Sequence, residues 1–183
     1  MSTTDRMTQD AIELLVADHR EVDQMFAQIE TGQGDKDDLV RKVTKELSMH
    51  AAVEEQILYP AMRRALADGD AKVEEAIQEH QEVKEALAEI ERMDSSGERQ
   101  PKLLKLMADV RHHVQEEENE LFPEMRAAVS EDQLRAMGAE IAAAKKMAPT
   151  HPHPNAPSTP PGNIVAGAAA AVMDKVRDAV SDE

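Results

Sequence analysis

Two stretches of this chain repeat one pattern, in which a histidine is followed four residues later by a glutamate and then by an aromatic-proline pair. The two sets lie 63 residues apart: His50, Glu54 and Tyr59-Pro60 in the first, His113, Glu117 and Phe122-Pro123 in the second. A lone histidine precedes each set, within the matching dipeptides Asp18-His19 and Glu79-His80. The chain therefore contains two copies of one unit, and a repeat of this kind restricts the fold more than any other feature.

Helical spacing would bring the repeated side chains together. Residues four apart lie about 40° apart round an α-helix, so the histidine and the glutamate of each set share a face. An imidazole and a carboxylate one turn apart can bind the same metal ion, and this donor set without thiolate suits iron, manganese or zinc. Four helices that direct these groups inward would hold two metal ions in a bundle core. We therefore predict a metal site made of His19, His50, Glu54, His80, His113 and Glu117.

Apolar residues recur at helical spacing in four segments, which predicts an all-α four-helix bundle. The first three segments cover about residues 8–29, 36–66 and 71–93. The fourth follows a break at Ser95-Ser96-Gly97-Glu98, which contains a candidate capping box, and it reaches Pro123. Prolines at the ends of the second and fourth segments are expected to kink or end those helices.

The remainder of the chain divides by composition. The bundle would occupy residues 1–128, and residues 129–147 have the pattern of an additional short helix. Residues 148–163 are rich in proline and predict an extended linker with no reason to pack. Residues 164–183 form an Ala-rich amphipathic tail that is too short and too charged to span a bilayer. We expect this tail to dock weakly or to be partly disordered; a protein partner that binds the tail is the alternative.

Charge and composition exclude several classes of protein. The formal net charge of −16 argues against nucleic acid or an anionic membrane as a partner. The chain has no cysteine, which excludes disulfides, Fe–S clusters and a thiol nucleophile. Neither a signal-peptide pattern nor an apolar run of about 20 residues occurs, so we expect a cytoplasmic protein without a membrane span.

Polar residues close to the predicted ligands need separate interpretation. His112 and Glu116 are also four residues apart, but the repeat and the apolar stripe favour His113. Glu55 and Glu118 would lie about 140° round the helix from their histidines, so surface positions are expected for both.

Two further residues near the repeat are open to more than one interpretation. For Tyr59, packing beside Pro60 is favoured over a hydrogen bond near the metal. Glu120 matches Ile57 of the first copy and should face inward, either beside the site or at the polar end of the bundle.

These residues resemble the haemerythrin-like, HHE cation-binding family over about residues 10–128. The resemblance implies an up-down-up-down four-helix bundle with a non-haem di-iron centre bridged by an oxo or hydroxo group. By this resemblance His19 and His50 would bind one iron, and the two histidines of the second copy the other. Glu54 and Glu117 would bridge the two ions.

One departure from the family pattern bears on function. Oxygen-carrying haemerythrins have a second histidine four residues after the third-helix histidine, and this chain has Lys84 there. They also carry an Asp five residues after the fourth-helix histidine, where this chain has Glu118. The missing imidazole argues against reversible O2 carriage, and we expect Lys84 to extend from the surface.

We therefore expect a protein that reacts with O2, hydrogen peroxide or nitric oxide, with catalase- or peroxidase-like turnover as a candidate activity. The alternative is a non-catalytic iron or oxygen sensor whose metal state controls partner binding, since metal binding and folding are coupled. A two-zinc hydrolase is a third interpretation, for which no general base stands out in the sequence.

Overall fold

The computed structural model describes residues 9–93 and 99–181, and these ranges contain helices but no strand. The first helix, α1 (Ala11–Thr31), begins at a capping box in which Asp10 and Glu13 each accept a hydrogen bond from the backbone N–H of the other. It ends at Gly32, whose φ of 67° is the left-handed conformation that glycine adopts without steric cost. The break predicted at Ser95-Ser96-Gly97-Glu98 lies outside the described residues.

The bundle has four long helical segments, here called rods, of which the first is α1 and the third is the helix Gly69–Arg92. The second and fourth rods each contain one π-helical turn. The second comprises α2 (Lys36–Val53), the turn π1 (Glu54–Leu58) and α3 (Tyr59–Ala65). After α4 (Gly69–Arg92), the fourth comprises α5 (Arg99–Glu116), the turn π2 (Glu117–Leu121) and α6 (Phe122–Ala128).

The prolines explain the position of both π-turns. In each rod a backbone N–H donates to the carbonyl five residues earlier, from Tyr59 to Glu54 and from Phe122 to Glu117. The next residue is a proline, which has no N–H and whose ring would clash with the carbonyl of an ordinary helical turn. An extra residue in the turn relieves that clash, so the rod stays helical where the sequence predicts a kink or an end.

The four rods form the expected up-down-up-down bundle, with one polar layer between two apolar clusters. One cluster includes Leu15, Met62 and Met125, and the other includes Phe26, Val43 and Leu103. The short helix α7 (Glu131–Ala144) packs across the start of α1. A side chain at Gly138 would lie 2.4 Å from the backbone oxygen of Gln9, so this contact requires glycine.

The C-terminal segment packs against the bundle, so the expectation of an unpacked linker is wrong. After a 3-10 turn (Lys145–Met147) the chain crosses α4, where Gln81 Nε2 donates to the carbonyl of Pro154 at 3.0 Å. The last helix, α8 (Gly162–Ser181), docks on π1, where Asn163 Nδ2 donates to the carbonyl of Glu55 at 3.1 Å.

Polar contacts within the segment explain why the linker folds back. Asp174 of α8 is buried and accepts hydrogen bonds from the backbone N–H groups of Thr150 and His151. Composition alone does not reveal that these N–H groups have a partner.

Among the described helices, none combines the length and apolar character that crossing a membrane requires.

Candidate metal centre

The six residues predicted as ligands meet in the polar layer, and all of them are buried. The histidines form two pairs, each with an Nε2–Nε2 distance of 3.1 Å: His19 with His50, and His80 with His113. Each pair joins two neighbouring rods of the bundle. His113 therefore points inward, whereas His112 is exposed and lies 3.4 Å from Glu116.

The two glutamates lie between the histidine pairs. Glu54 Oε2 is 3.0 Å from His50 Nε2 and 3.5 Å from His80 Nε2. Glu117 reaches the remaining two histidines, at 3.3 Å from His19 and 3.5 Å from His113. Donor atoms within 4.8 Å of one another form two groups: His19, His50, Glu54 and Glu117, and Glu54, His80 and His113.

The unsatisfied oxygens of this cluster fit a metal ion. Both carboxylate oxygens of Glu54 and Oε2 of Glu117 are buried and have no hydrogen-bond partner among the described residues. The short distance from Glu54 to His50 therefore lacks hydrogen-bond geometry. Buried carboxylates without partners are costly, and cations between the converging Nε2 and carboxylate atoms would satisfy them. The donor set suits iron, manganese or zinc.

A second set of carboxylates orients the histidines through their other ring nitrogen. The Nδ1–H groups donate to one carboxylate each: His50 to Asp18 at 3.3 Å, His80 to Glu55 at 3.1 Å, His113 to Glu79 at 2.6 Å and His19 to Glu118 at 3.0 Å. Such a bond fixes the tautomer and leaves the Nε2 lone pair free for a metal. Each bond also joins two neighbouring rods, so the four bonds form a closed ring round the centre, here called the carboxylate ring.

The sequence prediction missed the carboxylate ring. Surface positions were expected for Glu55 and Glu118, and this is wrong: Glu55 is buried, and Glu118 contacts both His19 and Arg20. Each side chain lies in the seam with the neighbouring rod and reaches the histidine of that rod, so an angle of about 140° from its own histidine does not place it on the outer face of the bundle. The signal that could have found the ring is the acidic residue before each lone histidine and after each ligand glutamate, in both copies.

The corresponding aromatic residues of the two copies contact the centre differently. Tyr59 is fully buried, and its hydroxyl donates to Glu117 Oε1 at 3.1 Å and lies 3.1 Å from His80 Nε2. The expectation that it only packs beside Pro60 is therefore wrong. In the second copy Phe122 stacks on His19, with ring centroids 5.8 Å apart.

Two polar residues differ from their expected positions. Lys84 is not a surface lysine, because its side chain is 13% exposed and donates to Glu55 Oε1 at 2.6 Å and to Ser158 Oγ at 3.2 Å. Glu120 is exposed rather than inward-facing, because the π-turn changes the register of the residues that follow Glu117.

Electrostatics in the cluster favour a positive charge. Burial lowers the pKa of His50, but Glu54 and Asp18 outweigh this and raise the pKa to about 10. Burial likewise lowers the pKa of His113, and Glu117 and Glu79 raise it to about 9. Burial raises the pKa of Glu117, but the neighbouring histidines hold it well below its usual range. Without metal the layer therefore binds protons, and a cation must displace them.

Fold and site together define a metal-binding four-helix bundle. The sequence profile of the Hemerythrin HHE cation binding domain family matches residues 10–125 of this chain. This chain belongs to that family, as its sequence predicts.

Three known proteins are similar to this chain. An uncharacterized hemerythrin-like protein of Schizosaccharomyces pombe is 34% identical over 166 residues, which are 88% of this chain and 81% of the relative. A DNA nickase of Nostoc sp. is 28% identical over 145 residues, which cover 78% of this chain but 41% of the nickase. The crystal structure of a Hemerythrin HHE cation binding domain-containing protein from Mycobacterium kansasii has the same fold, with a TM-score of 0.65 and 21% identity. That likeness covers 75% of this chain and 86% of the other.

Proposed function

We propose that the centre holds two iron ions and that the protein reacts there with O2, hydrogen peroxide or nitric oxide. The observation that carries the proposal is the pair of donor groups that share Glu54, whose carboxylate oxygens otherwise have no partner. Two iron ions in such a bundle would supply the redox chemistry that these small oxidants require.

In this proposal the four histidines would hold the ions through Nε2. Glu54 and Glu117 would each offer a carboxylate to both histidine pairs, because each lies between a histidine of one pair and a histidine of the other. No imidazole from α4 other than His80 takes part, since Lys84 is bound to Glu55. The chain would thus offer one neutral donor fewer than the oxygen carriers do, which would favour reaction over reversible O2 storage.

The chain itself orients the ligands and limits the access of water to the centre. The carboxylate ring holds each imidazole with Nε2 directed at the interior of the polar layer, and the apolar clusters above and below cover the two ends of that layer. The hydroxyl of Tyr59, which is fully buried, donates a hydrogen bond to Glu117 Oε1. Burial raises the pKa of this tyrosine, and the charge of Glu117 raises it further, so the hydroxyl stays protonated.

Elemental analysis and rapid mixing test the proposal. Protein from iron-replete cells should contain about two iron atoms per chain. The reduced protein should oxidise in air without forming a long-lived oxygenated species, and the oxidised protein should consume hydrogen peroxide. One iron per chain, full occupancy by zinc, or a stable spectrum that reverses when O2 is removed would each contradict the proposal.

A sensor function is the second candidate, and one observation favours it. Lys84 donates to both Glu55 and Ser158, and Lys145 donates to Asp18. Two bonds of the carboxylate ring are therefore connected to the C-terminal segment, so the state of the metals could change how that segment docks. A sensor should react once per metal centre, and its α8 should become susceptible to protease in one oxidation state only. Repeated turnover with unchanged proteolysis would favour the reactive enzyme.

A further inference from the structure

A cavity of about 260 Å³ adjoins the metal centre at the seam between α1 and α5. All four histidines border its inner end, and its walls are formed by apolar side chains that include Val22, Phe26, Leu47, Val83, Val110 and Val114. At its outer end lie polar residues of the two helices, among them Arg20, Asp23 and Arg111. The cavity thus has a polar inner end, apolar walls and a polar mouth.

The cavity is larger than the small oxidants require. O2, nitric oxide and hydrogen peroxide have two heavy atoms each, whereas an apolar protein cavity of about 150 Å³ accommodates benzene. Apolar walls do not retain ordered water, because a buried water needs two to four polar partners. The apolar body of a ligand would remove these walls from water, which is favourable in proportion to the apolar area that is covered.

The mouth has a structure that can admit a ligand. Arg111 of α5 pairs with Asp23 at 2.9 Å and with Glu30 at 2.7 Å, and lies 5.5 Å above the Phe26 ring. Further along the seam Arg20 pairs with Glu118 at 2.5 Å. These ion pairs are partly exposed, so rotation of the arginine side chains costs little. A neutral apolar ligand could pass between them without leaving a buried charge unpaired.

We infer that this cavity binds the apolar body of an organic hydroperoxide, with its O–O group directed at the four histidines. The inference rests on the proposed function and names its substrate class. Reduction of such a hydroperoxide would break its O–O bond and take up two protons to give the alcohol and water, and the two electrons would come from the reduced metal ions that the six ligand residues would hold. A ligand with one polar end and an apolar body matches the polar inner end and apolar walls of the cavity.

Binding of the product-like alcohol tests the inference without any redox step. Full-length, metal-loaded, oxidised protein is titrated with 2-phenyl-2-propanol by calorimetry, and saturable binding is expected. Val83→Phe fills the cavity and should weaken binding by about 10-fold or more. Val165→Phe is the matched control, because Val165 is 71% exposed on α8 and lies away from the cavity; it should bind as the unmodified protein does.

Metal content and thermal unfolding establish that each variant is folded and loaded. If Val83→Phe does not fold, the smaller change Val110→Ile should still weaken binding. The inference is overturned if the unmodified protein shows no saturable binding, or if the cavity-filling variants bind as tightly as it does. Hydrogen peroxide consumption is measured in parallel. Peroxide consumption without alcohol binding removes only the cavity inference, whereas alcohol binding without any reaction removes the proposed function and leaves the binding site.

Discussion

The two copies of the repeat supply the same donors to the metal centre but are covered differently. In the first copy the ring carboxylates Asp18 and Glu55 are 7% and 4% exposed. Their counterparts in the second copy, Glu79 and Glu118, are 26% and 19% exposed. The seams that the first-copy carboxylates bridge lie under the C-terminal segment, whereas the seam between α1 and α5 carries the cavity.

The difference arises from residues 145–181, which have no counterpart in the repeat. Lys145 reaches Asp18, Lys84 joins Glu55 to Ser158, and Asn163 binds the backbone of π1. A repeat can therefore determine which atoms meet at a site, while a segment outside the repeat determines which side of the site faces solvent.

The largest effect should come from removing one histidine of either copy. His50→Ala and His113→Ala each delete one Nε2 donor from one of the two donor groups, so both variants should lose most of their metal. His112→Ala, in which an exposed histidine is removed, is the control and should keep its metal. Elemental analysis after gel filtration measures the outcome. Markedly unequal losses from His50→Ala and His113→Ala would show that the two copies are not equivalent as ligands.

Removing ring carboxylates should separate the copies. Glu55→Ala leaves Lys84 and His80 buried without their partner, which should cost about 3–5 kcal/mol in the free energy of unfolding. Glu118→Ala removes a partly exposed carboxylate from both Arg20 and His19, and should cost about 1–2 kcal/mol because water can reach the vacated position. Metal affinity should fall by about 10–100-fold in both, since each orients one histidine. Urea denaturation and metal competition measure the two quantities, and equal stability losses would refute the assigned difference in burial.

Deleting residues 149–183 should make the copies more alike. No predicted ligand lies in this segment, so metal content should persist, while loss of its hydrogen bonds to the bundle should cost about 2 kcal/mol. Glu55 then becomes accessible, and Glu55→Ala in the truncated chain should cost nearly as little as Glu118→Ala. Urea denaturation of Glu55→Ala and Glu118→Ala, each in the full-length and in the truncated chain, tests this. Loss of metal on truncation alone would instead show that the segment is needed to close the bundle.

The smallest effect concerns docking of α8. Burial lowers the pKa of His151, but hydrogen bonds to Glu91 and Asp178 outweigh this and raise it above 6.5. Its contribution to docking is therefore complete below pH 6.5 and is lost as the pH rises through the raised pKa. We expect less than about 1 kcal/mol, because the site is partly exposed. The protection factors of the α8 amides, which correct for the base-catalysed intrinsic exchange rate, should fall as the pH rises through this pKa, and His151→Gln should abolish that fall.

The sequence predicted the parts of this molecule that depend on periodicity. Helical spacing and the repeat placed His50 beside Glu54 and His113 beside Glu117, and they distinguished His113 from His112. The family, the all-helical fold and the order of the helices are confirmed by the relatives and by the structure. These features are local or repeated, so a regular helix is enough to predict them.

Features that depend on irregular backbone or on long-range contacts were not predicted. The angle of about 140° from their own histidines predicted surface positions for Glu55 and Glu118, whereas both lie in seams of the bundle and reach the histidine of a neighbouring rod. Docking of the proline-rich linker depends on Asp174, more than 20 residues further along the chain. The contact of the linker has no period that could be read from the sequence, whereas the ring repeats in both copies as an acidic residue beside each lone histidine and each ligand glutamate.

The carboxylate ring also has a pattern of connections between the copies. Asp18 binds His50 and Glu79 binds His113, within one copy each, whereas Glu55 binds His80 and Glu118 binds His19, across from one copy to the other. Exchanging the copies leaves this pattern unchanged, which is the property of a twofold axis. A chain of half the length, facing an identical partner across that axis, would complete the same ring, so the single chain has the geometry of a homodimer whose subunits have been joined.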